Sequence, residues 1–88
     1  MDLAAQRNRL TLLTARAEAL RAELKVLPEQ MRAAGLGLRA EIQTAEQRMN
    51  MQLESASAAI GAGQAEEANR GLEAAEQQID RLEKLLHQ

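Results

Sequence analysis

Ile60-Gly61-Ala62-Gly63-Gln64 is the stretch that decides how this chain folds. On either side of it lie segments of about 23 residues whose apolar positions recur at helical spacing, so the simplest geometry is an antiparallel hairpin of helices reversed at the glycines. The expected helices run near 38–60 and 64–87, with the turn at 61–64.

Beyond the turn, Ala65, Ala68, Leu72, Ala75, Ile79, Leu82 and Leu86 alternate in steps of three and four, with Leu85 beside them. That is the heptad pattern of a coiled coil. Glu66–Arg70 and Asp80–Lys84 are spaced as i,i+4 pairs along the helix, in the favourable orientation. Glu76 and Glu83 flank the apolar seam, and so does Gly71, which would let a neighbouring backbone come close. Before the turn, Ile42, Ala45, Met49, Ala56 and Ala59 form the matching stripe, with Leu53 and Ile60 adjoining it. Met49 belongs to that stripe, whereas Met51 lies about 200 degrees away around the helix and reads as a surface residue.

A third helix is expected over 2–27, with Asp2 as its N-cap. Leu3, Leu10, Ala17 and Leu24 fall seven apart, Leu13, Leu20 and Leu27 fill the second seam position, and Gln6 is a polar interruption. Arg7, Arg9, Arg16 and Arg21 flank this seam. Their ordinary role is to pair with an acidic helix edge and lay their methylene stems over the seam; the functional alternative is an anion-binding edge. Between the first two helices, Pro28, Gly35 and Gly37 coincide with a break in the heptad phase and mark a break or corner over 28–37. Two architectures follow. One is a compact three-helix bundle, and the other an elongated rod in which the first two helices are nearly continuous and a dimeric coiled coil forms.

Composition supports the all-α class. The 88 residues contain no Phe, Trp, Tyr or Cys, and Ala and Leu carry most of the apolar content. Helices favour that mixture and strands do not. A chain this short has a small core of its own, which adds to the expectation of self-association. Without cysteine there is no disulfide framework, thiolate nucleophile or Cys-based zinc site. No apolar run reaches the length of a membrane span, and the first residues lack the pattern of a secretory signal, so the chain reads as cytoplasmic.

The net charge of −2 is unevenly spread: residues 1–44 carry seven Lys/Arg against five Asp/Glu, and residues 45–88 carry four against eight. That asymmetry suits pairing between the two halves. Nucleic-acid modules show a basic excess, often with aromatic stacking platforms, and neither is present.

The stretch from Ala59 through Gly61, Gly63, Glu66 and Ala68 to Leu72 and Ala75 resembles the inner turn of a tetratricopeptide repeat. The resemblance is confined to the turn. The large aromatic positions of that repeat are missing, the helices are longer, and no second copy appears at the period of about 34 residues. It implies a helix-hairpin turn and no peptide-binding role.

Chemistry-bearing constellations are scarce. His87, with Glu83 one turn before it, is the sole histidine, and Ser55 and Ser57 have no base near them in sequence. Gly35 and Gly37 lack the Lys-Ser/Thr of a phosphate loop. No catalytic, cofactor, metal or small-molecule site is expected. The expected function is a non-catalytic helical interaction or oligomerisation module, binding itself or a partner helix through Leu10, Leu13, Leu20, Leu24, Leu72, Ile79, Leu82 and Leu86. The alternative is an electrostatic binding or regulatory module in which Arg7, Arg9, Arg16 and Arg21 engage an anionic partner.

Overall fold

A computed structural model describes residues 3–26 and 36–87. Among the described residues the regular elements are three α-helices: α1, Ala4–Lys25; α2, Leu36–Gly61; and α3, Ala65–Leu86. All three pack against one another, so the compact bundle is the architecture adopted and the continuous rod is not. The principal extents are 49 × 19 × 17 Å.

α1 begins after Leu3, whose carbonyl accepts from the Arg7 N–H at 2.9 Å. Asp2, Leu27, Pro28 and Gly35 lie outside the described residues. α2 is already helical at Leu36, so Gly37 belongs to its first turn and not to the corner expected over 28–37. A glycine is tolerated there because first-turn amides have no intrahelical acceptor to lose.

The reversal between α2 and α3 is a Schellman-type cap. Gly63 takes the left-handed conformation at φ 72, the Gly63 N–H donates to Ile60 O at 3.1 Å, and the Gln64 N–H donates to Ala59 O at 2.9 Å. These bonds satisfy carbonyls that the end of α2 would otherwise leave open. α3 then runs back along α2. Gly71 sits so close to α2 that a Cβ added to it would stand 3.1 Å from the Cα, Cβ and N of Ala56.

The direction of α1 follows from its cross-helix partners. Gln6 meets Asn69, Arg9 meets Glu76, Arg16 meets Asp80 and Glu83, and His87 meets Glu23, so α1 and α3 ascend together. Leu3 packs with Ala59 and Ile60 while Arg21 meets Asn50, so α1 runs antiparallel to α2. The topology is up-down-up.

The main core joins Leu13, Ala17 and Leu20 of α1 to Ile42, Ala45, Met49, Leu53 and Ala56 of α2 and Leu72, Ala75, Ile79 and Leu82 of α3. A second cluster at the turn end gathers Leu3, Ala59, Ile60 and Ala68. Met49 is fully buried and Met51 is exposed, as their angular separation requires. Alanines opposite larger residues let three helices without aromatic side chains approach closely enough to fill the interior.

Candidate interaction surface

α1 is the helix on which the expected functional residues converge, and it presents three different edges. Its inner stripe is consumed by folding. Leu13, Leu20, Leu72, Ile79 and Leu82 are buried together inside one chain, with Leu10, Leu24 and Leu86 packed against them. The seam residues are therefore brought together intramolecularly, and a partner must use another face.

The edge of α1 toward α3 is an ion-pair ladder. Arg9 Nη2 lies 2.9 Å from Glu76 Oε1. Arg16 reaches three carboxylates, with Nη1 at 3.6 Å from Glu76 Oε2 and Nη2 at 2.9 Å from Asp80 Oδ1 and 2.5 Å from Glu83 Oε1. Its hydrogen bonds to Glu83 and then to Asp80 raise the guanidinium pKa, which fixes its charge. A planar fork of donors can serve several oxygens at once, and this geometry uses that capacity. At the end of the ladder His87 Nε2 stands 3.0 Å from Glu23 Oε2.

Two local pairings differ from the sequence expectation. Asp80 is turned to Arg16 of α1 instead of Lys84, because a guanidinium already shared with Glu83 offers it a charge-assisted bond. Arg70 reaches Glu67 at 3.3 Å, one residue from the expected Glu66. His87, expected to be solvated or to meet the negative end of its own helix, is paired across helices with Glu23. The edge toward α2 is simpler. Arg21 Nε donates to Asn50 Oδ1 at 3.1 Å, above a shallow groove lined by Leu10, Thr14, Leu53, Glu54 and Ser57. Of the four flanking arginines, Arg9 and Arg16 are thus neutralised within the chain, Arg21 is held by a neutral acceptor, and Arg7 is exposed.

The third edge of α1 faces outward and was not anticipated. Leu12 is 67% exposed and Val26 75% exposed. Ala5, Ala15, Ala19 and Ala22 share the same face and are exposed as well. The signal was available in the spacing: Ala5, Leu12, Ala19 and Val26 fall seven apart, as do Leu3, Leu10, Ala17 and Leu24 on the opposite side. The stripe through Leu3, Leu10, Ala17 and Leu24 is the richer in leucine and dominates the pattern.

Among the described residues, no group of three His, Cys, Asp or Glu is placed to hold a metal ion. No helix is long and apolar enough to cross a membrane, again among the described residues. Compared with protein-family models, curated proteins and solved structures, the chain has no match.

Proposed function

We propose that this chain is a non-catalytic helical interaction module that engages another helix through the outward face of α1. The observation that supports it is the exposure of Leu12 and Val26 on a face continuous with Ala15, Ala19 and Ala22. Leaving large apolar side chains in water in a chain this small forgoes stabilisation of about 1.5 to 3 kcal/mol each, which a partner helix would recover. Helix-in-groove or helix-on-helix recognition is read through positions spaced in steps of three and four, and this face has that spacing.

The electrostatic alternative draws on fewer residues than the sequence offered. Arg9 and Arg16 already serve Glu76, Asp80 and Glu83, leaving Arg7 and the Asn50-bound Arg21 to meet an anion.

The two readings separate in one set of measurements. Self-association by sedimentation, and capture of partners from the source-cell extract, are compared for the wild type, Ala19→Asp and Arg7→Gln, at low and high salt. The interaction reading expects Ala19→Asp, at the centre of the exposed stripe, to abolish association while Arg7→Gln and salt leave it largely intact. Loss of binding with Arg7→Gln and with salt would select the electrostatic reading. A chain that neither self-associates nor captures anything would sink the interaction reading.

A further inference from the structure

The outward faces of the three helices differ in kind. That of α3 carries Glu66, Arg70, Glu73, Gln77, Arg81 and Lys84, all exposed. That of α2 sets Met51 among Thr44, Gln47 and Ser55. Among the described residues, only α1 and its C-cap Val26 turn a run of apolar residues outward: Leu12, Ala15, Ala19, Ala22 and Val26, spaced 3-4-3-4. This run lies on the side of α1 opposite Leu13, Ala17 and Leu20, so the helix has one seam inside the bundle and another outside it.

The charges bordering the outer seam identify its occupant. Arg16 and Glu23 border it on the α3 side; Glu18 and Lys25 border it on the α2 side. Among the described residues, Glu18 and Lys25 have no ion-pair partner within the chain. Two copies of α1 laid antiparallel, with Ala19 opposite the second copy's Ala22 and Ala15 opposite its Val26, bring like flanks together, as antiparallel coiled coils do. Glu18 then faces the second copy's Lys25, and Arg16, already bonded to Glu76, Asp80 and Glu83, lies beside the second copy's Glu23. Two-fold symmetry repeats the Glu18–Lys25 pair, which carries the charge match, and sets no like charges together.

Other arrangements lack this match. Parallel pairing sets Glu18 against the second copy's Glu23. Sliding the antiparallel pair by one heptad sets Glu18 against Glu18 and Arg16 against Arg16 across the axis. Like charges held together at such positions select against a register, and opposite charges select for it.

We infer that the outer face of α1 binds a second copy of this chain, antiparallel, in the register that joins Glu18 to the second copy's Lys25. This rests on the interaction reading above and specifies its partner. The alanines at the centre let the two helices approach closely, and the short apolar overlap makes the dimer a weak one.

Sedimentation equilibrium of the full chain, from about 10 µM to about 1 mM, tests it. The wild type is expected to pass from monomer to dimer across that range. Ala22→Glu, which places a carboxylate in the seam at an exposed position, should weaken the dimer by about tenfold or more. Its helical circular dichroism and thermal unfolding should match the wild-type monomer. Glu18→Lys and Lys25→Glu should each weaken association several-fold, and the double variant E18K/K25E should restore it to within about twofold, because the swapped charges again face opposite partners.

A dimer indifferent to Ala22→Glu would overturn the inference while leaving an interaction module that uses another face. A double variant no better than either single one would overturn the register. A wild type that stays monomeric yet captures a different protein, with capture lost in Ala22→Glu, would overturn self-association and keep the interaction reading. A monomer that captures nothing would end both.

Discussion

Gly71 of α3 packs directly on Ala56 of α2, with room for a hydrogen on Gly71 but not for a methyl group without movement. The atoms that a Cβ would meet include the Ala56 backbone, which cannot rotate away as a long side chain would. Gly71→Leu is therefore expected to lose at least about 2 kcal/mol through overpacking. Gly71→Ala should lose less, since its gain in helix propensity of about 1 kcal/mol offsets part of the strain. Urea unfolding of both variants beside the wild type measures this, and an unchanged midpoint for Gly71→Leu would show that the hairpin opens freely there.

Gly63 and Gly61 make a matched pair of opposite sign. Gly63 holds φ 72 with nothing within 4 Å of an added Cβ, so its requirement is conformational and not steric. Gly63→Ala should cost about 1 to 2 kcal/mol, the price of a left-handed L-residue. Gly61 is the last residue of α2, with open space around it and no positive φ. Gly61→Ala should gain about 0.5 kcal/mol by restricting the unfolded chain. Thermal melts that moved in the same direction for both would contradict the cap geometry.

Arg16 is the hub of the α1–α3 ladder. Replacing it with Gln removes contacts to Glu76, Asp80 and Glu83, all at partly exposed side chains, so the expected loss is about 1 kcal/mol and not the sum of three buried pairs. The difference from wild type should shrink at about 1 M salt, where the Debye length falls to about 3 Å. Its pH dependence has a definite sign. The folded state raises the Arg16 pKa, so the stability it adds is fully present below the ordinary arginine range and fades only as pH rises through the raised value. The arginine's own titration should therefore leave the Arg16→Gln difference equal at about pH 7 and about pH 9.

Gln78 points to an improvement. Its Oε1 is buried without a hydrogen-bond partner, a cost of about 1 to 3 kcal/mol for a polar group of this kind. Gln78→Met keeps the length and helix propensity of the side chain and removes the orphan acceptor. The expected result is a gain of about 1 kcal/mol in unfolding free energy, and a loss on this substitution would show that the amide is satisfied in solution.

The periodic part of this fold is legible because burial and spacing are the same information in a helix. Leu72, Ala75, Ile79 and Leu82 are buried where their steps of three and four require it, and Gly71 makes the close approach its position implied. Partner choice is less legible. Glu76 and Glu83 meet the arginines of α1 as their flanking positions suggest, yet Asp80 and His87 choose partners on α1 over neighbours on their own helix. That choice depends on α1 and α3 running in the same direction and on how each is rotated, which no local spacing encodes. The outer stripe through Leu12 and Val26 is a different matter, since its heptad spacing is as plain as the inner one. Only the structure shows which of the two stripes remains in water, because that depends on where the other helices stand.

An odd number of antiparallel passes has a mechanical consequence. Leu3 packs at the turn end of the bundle beside Ala59, Ile60 and Ala68, while His87 sits beside Glu23 at the other end. Tension applied between those two ends pulls α1 and α3 past each other lengthwise, in shear. The Arg9 and Arg16 ion pairs and the leucines beneath them then share the load together, whereas the α2–α3 hairpin, with its turn at one end, would unzip one contact after another if its own two ends were pulled apart.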